Sequence, residues 1–467
     1  MTEAESSNTP HSFSSLGLKD ELVRNLASLD YDTMTPIQVK SLPIMLKGDD
    51  IIAQAKTGSG KTAAFGLSLL NKLHVPHFAV QALVLCPTRE LAEQVSLALR
   101  KLARLIPNVK ILNLSGGIPM KPQLDSLQHG AHVIVGTPGR VQKHLDHESL
   151  SLEKIHTLVL DEADRMLDMG FFDSIKSIIR ACPKRRQTLL FSATYPNEIK
   201  KLASEFLSNP KRVIVEETHT ALDIEQRFYE VSHQKNKYPV LKSLLLHFQP
   251  ASTLIFCNTK EQTNQLVAAL TNDGFSAIAL NGDMEQMDRD EAMIRFVNQS
   301  CSILVATDVA ARGLDIKELP AVINFDLAFD ADIHTHRIGR TGRAGSKGLA
   351  ISLTTPADGE RLCFIEDNTP HPLVWGKEEE LQKSTSAITP PLMITLCLNM
   401  GRKDKIRPGD ILGALTKDAG LPADTIGKID ITSLYSYVAI HRSQANKATR
   451  YFQDGKLKGR KVMARKR

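Results

Sequence analysis

The chain has 467 residues, 42% of them apolar and 24% charged, which places it in the ordinary globular range and, at roughly 150 residues per domain, suggests about three domains. The formal charge of +6, from 58 Lys/Arg against 52 Asp/Glu, hides a division: residues 401–467 carry 16 basic against 6 acidic groups, a net of +10, and the preceding 400 residues a net of −4. An acidic body with a basic tail points to a polyanionic partner for the tail, and no apolar run approaches the ~18–20 residues that cross a bilayer.

The polar, partly acidic start lacks the basic and apolar blocks of a secretion signal. Cys86, Cys182, Cys257, Cys301, Cys363 and Cys397 contain no C-x-x-C pair, so they read as reduced residues of a cytoplasmic protein. Taken in chain order, short apolar runs end in polar turns and lead into helical stretches: DDIIAQA, ALVLC–PTRE, HVIVG–TPGR, HTLVL–DEAD and QTLLF–SAT, then STLIF–CNT, SAIAL–NGD, CSILV–ATD and LAISL–TT. Such runs predict buried parallel strands in two tandem α/β domains, over 1–215 and 222–365. Right-handed crossovers bring the strand ends to one edge, where the polar turns converge on a cleft. Residues 209–225 leave the pattern and suit a hinge, and 366–391, rich in Pro, charge and Ser/Thr, reads as an exposed linker with a short helix near Glu378. The rest, 392–467, predicts strand MITLCL, a helix near 408–419, strands IGKIDIT and YSYVAI, a helix near 443–452 and a strand near KVMAR. That β-α-β-β-α-β order is the RNA-recognition-motif (RRM) arrangement, an α+β fold.

The segment Ala55-Lys-Thr57-Gly58-Ser59-Gly60-Lys61-Thr62, between a strand and a helix, has phosphate-loop spacing except that Ala55 replaces the first glycine. Small residues let backbone N–H groups curl around phosphate oxygens, Lys61 neutralises the β/γ phosphates, and the Thr62 hydroxyl takes a Mg²⁺ position. Asp161-Glu162-Ala-Asp164 ends the run Leu158–Leu160. A carboxylate at that strand tip can hold Mg²⁺ and its neighbour can orient or deprotonate water, so Asp161 is assigned to the metal and Glu162 to the attacking water. In His336-Arg-Ile-Gly-Arg340-Thr-Gly-Arg343, three arginines in eight residues make a solvated basic face or arginine fingers; as fingers, Arg340 and Arg343 would complete the γ-phosphate site only on domain closure.

With these motifs in order from Phe13 to Arg343, the first ~365 residues resemble the DEAD-box RNA helicases. The resemblance implies two RecA-like domains, ATP and Mg²⁺ as cofactors, and RNA as partner. Adenine would stack on Phe13 and bond Gln38 of the stretch Asp30–Gln38, although Asp30 and Met34 depart from the family's usual glycine and smaller residue. It implies an RNA backbone track at Pro87, Thr88, Arg89, Gly116, Gly117, Thr137, Pro138 and Arg140, continued by Gln286, Arg289 and Thr307. Glycine N–H groups, hydroxyls and arginines suit phosphates and 2′-hydroxyls. Ser192, Thr194, Asp164 and His336 would couple the nucleotide to that track, and Asp315 would contact the ribose.

The tail lacks most of the RRM aromatic signature: Ile440 stands where a ring would stack, and MITLCL has none. Binding by charge and shape through Lys403, Lys405, Arg407, Arg450 and Lys458 is therefore expected. The segment KDKIRPGDILG resembles the C-terminal domain of one bacterial branch of the family. That implies docking on a hairpin of large-subunit ribosomal RNA in pre-ribosomal particles, with neither DNA nor a membrane as partner. Alternatives are a helicase acting broadly on messenger RNA and an ATP-gated clamp that separates no strands; the sequence leaves oligomeric state open.

Overall fold

The computed structural model describes residues 12–55, 58–215, 224–311, 319–342, 347–369, 372–381 and 387–467. They fall into two compact units, one ending at 215 and the other beginning at 224.

The first unit contains seven parallel strands: β1 (Ile51–Gln54), β2 (Ala82–Leu85), β3 (Ile111–Leu114), β4 (Val133–Gly136), β5 (Thr157–Leu160), β6 (Gln187–Ser192) and β7 (Lys211–Ile214). Their order is β3-β4-β2-β5-β6-β1-β7, every pairing parallel. Residues of β2, β4, β5 and β6 are buried throughout, as continuous apolar runs require when helices cover both faces. Side chains alternate between two cores: Val84, Val135, Val159 and Phe191 face one layer of helices, and Leu83, Leu85, Ile134, Leu158 and Leu160 the other.

The second unit holds a six-stranded parallel sheet and a four-stranded antiparallel one. The parallel strands are β8 (Ile224–Glu230), β9 (Thr253–Phe256), β10 (Ala277–Leu280), β11 (Ile303–Ala306), β12 (Ala321–Asn324) and β13 (Gly348–Thr354), ordered β10-β11-β9-β12-β13-β8. The antiparallel sheet is built from β14 (Met393–Leu398), β15 (Ile426–Ile431) and β16 (Ser436–His441). A hairpin of β17 (Lys456–Leu457) and β18 (Arg460–Lys461) then leads to β19 (Ala464–Lys466), and the sheet order is β15-β16-β14-β19. Helices at Pro408–Gly413 and Ala445–Asp454 cover one face, where Leu396, Leu398, Val438, Ile440 and Phe452 form the core. The two RecA-like sheets and the RRM-like C-terminal fold are as the sequence predicts.

Three features differ from expectation. β3, β7, β8 and β12 carry none of the strand runs picked out in the sequence. Both ends of the stretch read as a hinge run into strands: β7 pairs with β1 and β8 with β13. Both are edge strands with polar outer positions, so they lack an apolar run. Only 216–223 is left for a hinge, and it lies outside the described residues. In the stretch read as an exposed linker, the segment at Val374–Gly376 bonds the backbone of Phe228, and Leu381 is buried in the core beneath β9 and β13.

The open face of the antiparallel sheet is also covered. Thr395 and Tyr437 point away from the helices and are buried against the element Gln286–Val297 and the turn that follows it. Asn298 Nδ2 donates to Thr395 Oγ1 at 2.8 Å, and the Ser300 and Thr395 hydroxyls lie 2.6 Å apart. Arg467 Nε is 3.1 Å from Glu291 Oε1, and the Tyr437 hydroxyl donates to Glu291 Oε2 at 3.5 Å. Tyr437 is thus a packing residue here.

Candidate functional site

Because the strands of the first sheet are parallel, the turns after β1, β2, β4, β5 and β6 emerge at one edge. The phosphate loop follows β1. Gly58 and Gly60 have φ of +90° and +95°, and a Cβ at Gly60 would lie 2.7 Å from both Gln38 Nε2 and Thr35 Oγ1, so glycine is required there. Lys61 opens the helix Lys61–Lys72 and is buried, its Nζ donating to the Ala55 carbonyl at 2.8 Å. Thr57 lies outside the described residues. Gln38 accepts from Thr35 N–H at 2.9 Å and donates to the Gly60 carbonyl at 3.1 Å. One amide proton and one lone pair remain for a base edge. Phe13 is only 3% exposed and leaves little ring surface for an adenine; the accessible ring beside it, in an edge-to-face contact at 6.3 Å, is Tyr31.

At the tip of β5, Asp161 and Glu162 are both buried. Burial pushes the Asp161 carboxyl up to about 6, against the pull of Lys61 and with a further push from Glu162. Asp161 Oδ1 has no hydrogen-bond partner among the described residues. A desolvated, unpartnered carboxylate oxygen within the field of Lys61 fits a divalent cation bound with phosphate. Glu162 takes a left-handed backbone, φ +51°, which stores strain at a non-glycine residue, and pairs with Arg165 at 3.3 Å. Asp164 binds the turn after β6: its Oδ2 accepts from the Ala193 N–H at 3.1 Å, the Thr194 N–H at 2.8 Å and the Thr194 hydroxyl at 3.0 Å, while its own N–H donates to Ser192 Oγ. The acidic quartet and the Ser-Ala-Thr turn, 28 residues apart in sequence, are therefore one cluster.

The basic positions of the first unit converge as well. Thr88 and Thr137 are the N-caps of the helices Arg89–Leu102 and Pro138–Asp146, placing two sets of unsatisfied N–H groups at the same edge. Pro87 and Pro138 are buried beneath them. The Arg89 guanidinium lies over Gly116-Gly117 so closely that a Cβ at Gly117, φ +80°, would meet it at 1.8 Å. Arg140 donates to Gln123 Oε1 at 2.7 Å and to the Ile118 carbonyl at 2.8 Å; partial burial and the nearby Arg89 lower its pKa. Two cations held close together suit a phosphate. Buried Gln123, which also bonds His144 and the Ser115 carbonyl, sets the Arg140 fork; nothing in its sequence context marks it.

In the second unit, Gln286 opens its helix, Arg289 donates to the Asn281 carbonyl at 3.3 Å, and Thr307 is buried after β11. Arg340 is buried, its carbonyl accepting from Leu319 N–H, and His336 is half-buried on the helix Ala331–Ile338. Asp315 and Arg343 lie outside the described residues. In the antiparallel domain, Lys403, Lys405, Arg407 and Lys458 are exposed. Lys458 Nζ binds the Lys405 carbonyl and Asp410, each at 2.8 Å, so the 402–410 turn and the β17–β18 hairpin form one basic surface. Among the described residues no such bond joins Arg450, exposed on the helix Ala445–Asp454, to that surface.

Comparison with known families matches residues 35–202 to the DEAD/DEAH box helicase family, 236–345 to the helicase conserved C-terminal domain and 395–466 to the DbpA RNA binding domain. The chain belongs to the DEAD-box helicases: it is an ATP-using RNA helicase. Within that family it is 51% identical, over 94% of its length and 96% of the relative's, to the ATP-dependent RNA helicase DbpA of Escherichia coli K12. It is 43% identical over 76% of its length to the DEAD-box ATP-dependent RNA helicase CshA of Geobacillus kaustophilus, covering 76% of that protein. Among solved structures it is similar to Saccharomyces cerevisiae Dbp5 bound to RNA and ADP BeF3, with a TM-score of 0.71 and 31% identity over 80% of this chain and 99% of that one. No helix of the described residues is long and apolar enough to cross a membrane.

Proposed function

We propose that this helicase separates short RNA duplexes by ATP-driven closure and is directed by its C-terminal domain to a hairpin of large-subunit ribosomal RNA during ribosome assembly. The modules follow the divisions 1–215, 222–365, 366–391 and 392–467. Gly58, Ser59, Gly60 and Lys61, with Thr57, cradle the ATP phosphates; Gln38 reads adenine, with Tyr31 joining Phe13 at its ring. Mg²⁺, held by Thr62 and Asp161 partly through water, would neutralise charge on the β/γ phosphates. Glu162 orients the attacking water and accepts its proton. Arg340 and Arg343 stabilise the charge that develops on the transferred phosphoryl group, and Asp315 holds the ribose.

The RNA track runs over Pro87, Thr88, Arg89, Gly116, Gly117, Thr137, Pro138 and Arg140, then Gln286, Arg289 and Thr307. Asp164, bonded to Ser192-Ala-Thr194, carries the nucleotide state toward it, with His336 as counterpart in the second domain. The observation that carries the catalytic reading is the buried Asp161–Glu162 pair beside Lys61, with an unpartnered Asp161 oxygen. The targeting reading is supported by the match of 395–466 to the DbpA RNA binding domain and by the basic surface at Lys403, Lys405, Arg407 and Lys458, with Arg450 nearby in sequence to the hairpin. The test is ATPase stimulation of the full chain by ribosomal hairpins in competition with unrelated RNA. Equal stimulation would refute the ribosomal target, and turnover without release of a short duplex would identify a clamp.

A further inference from the structure

Arg337 is the arginine of His336–Arg343 for which the sequence reading assigned no role, and it is 1% exposed. A guanidinium has five N–H bonds, and all five are used. Nε donates to Asp308 Oδ1 and Nη2 to Asp308 Oδ2, both at 2.7 Å. Nη2 also donates to Asn258 Oδ1 at 2.9 Å, and Nη1 to Asn324 Oδ1 at 3.2 Å and the Asp326 carbonyl at 2.6 Å. The ring of Phe256 lies beneath it at 5.0 Å. One side chain thus ties together the turns after β9, β11 and β12, with Asp308 holding it by a planar two-point bond that lysine cannot make.

The ends of this bond carry the meaning. Asp308 directly follows Thr307, proposed to touch RNA, and Arg337 lies three residues before Arg340, proposed to face the γ-phosphate. Of the groups that accept from Arg337, only the Asp308 side chain is an anion: Asn258 and Asn324 act through neutral amides, and Asp326 through its backbone carbonyl. We infer that Arg337 is a positioning residue that couples RNA contact at Thr307 to placement of Arg340, by transmitting any shift of the turn after β11 to the helix Ala331–Ile338 through Asp308. The first unit contains an arrangement of the same kind, in which Asp164 holds the Ser192–Thr194 turn. In each case a charged side chain on a short helix grips the backbone or side chain of a neighbouring strand-end turn. A buried, fully satisfied bond of this geometry moves as a unit rather than stretching, which is what transmission requires.

The inference rests on the proposed roles of Thr307 and Arg340, which Thr307→Ala and Arg340→Gln examine separately by RNA affinity and ATP turnover. For the coupling itself, Arg337→Lys keeps the charge but has three donors in place of five, and Asp308→Asn keeps the shape but not the charge. Steady-state ATPase of the full-length protein is measured with and without saturating single-stranded RNA, alongside KM for ATP and a thermal melt. The expected result is a roughly tenfold fall in the ratio of RNA-stimulated to RNA-free kcat in each variant, within the usual range of coupling between sites. KM for ATP without RNA stays within about twofold, and the double variant loses no more than either single one, since both break one link. A wild-type ratio in either variant overturns the inference. So does a loss of RNA-free and RNA-stimulated turnover in equal proportion, the result of a bond that only pins the fold. Should Arg337→Lys melt below the assay temperature, Asp308→Asn decides the matter by the same ratio.

Discussion

Glu162 occupies a strained left-handed backbone position at the end of a buried strand, next to a carboxylate whose pKa burial has raised. Replacing it with glutamine preserves size but removes the charge that pairs with Arg165 and, on the proposed role, the base. Glu162→Gln should lower kcat by about 10²–10⁴-fold with ATP affinity retained, as checked by steady-state turnover and nucleotide titration. A second residue gives a pH signature. His334 is 3% exposed, stacks on Phe228 and lies beside Arg337; burial, and then the Arg337 charge, hold it down to about 4 from its ordinary 6.5. Because the folded value is the lower one, the unfolded chain binds the proton first as pH falls. The stabilisation is complete above about 6.5 and is lost between 6.5 and 4, up to roughly 3 kcal/mol. Urea melts of the wild type should show that loss, and His334→Asn should flatten it.

At the scale of elements, what positions the site is the pairing of strand tips with the turns beside them. Gly117 shows how little room those turns leave: its φ is +80° and Arg89 occupies the space where a Cβ would be. Gly117→Ala should displace the Arg89 guanidinium and weaken single-stranded RNA binding about tenfold, measured by fluorescence anisotropy, while ATP binding without RNA is unchanged. The polar contact under the antiparallel sheet is a second such element. Thr395 is fully buried between Asn298 and Ser300, so Thr395→Val leaves both partners without their bond. The cost should be about 1–3 kcal/mol in a chemical melt of the full-length protein. Apolar runs made most central strands of both parallel sheets legible, β12 (Ala321–Asn324) being the exception although it is buried throughout. The edge strands β7 and β8 were not, because half-exposed positions break the run that signals burial.

For the whole molecule, charge is the feature to test. The tail carries +10 in its last 67 residues, and eight of its sixteen exposed lysines and arginines lie on the 402–410 turn and the β17–β18 hairpin. RNA affinity should fall linearly on a logarithmic salt scale, and Lys405→Ala should reduce the slope by about 0.7–0.9, one phosphate contact, without changing ATP turnover at saturating RNA. The stacking face that RRM-like sheets commonly use is here buried against the helix Gln286–Val297. That burial, which no local sequence pattern records, removes Thr395 and Tyr437 from any stacking surface.

The sequence by itself determined the chemistry: which side chains end each strand, and hence a phosphate loop, a carboxylate pair, arginine-bearing turns and a basic tail. Local order suffices for these because each motif is a contiguous run, and parallel topology brings the turns of each parallel sheet to one edge of that sheet. Tertiary structure alone decided the rest. It buried Phe13 and left Tyr31 accessible, made Gln123 the support of Arg140, covered Tyr437, and spent all five bonds of Arg337 on three separate turns. The physical reason is the same in every case: burial and hydrogen-bond partners belong to pairs of residues far apart in the chain, and a one-dimensional pattern records only one member of each pair.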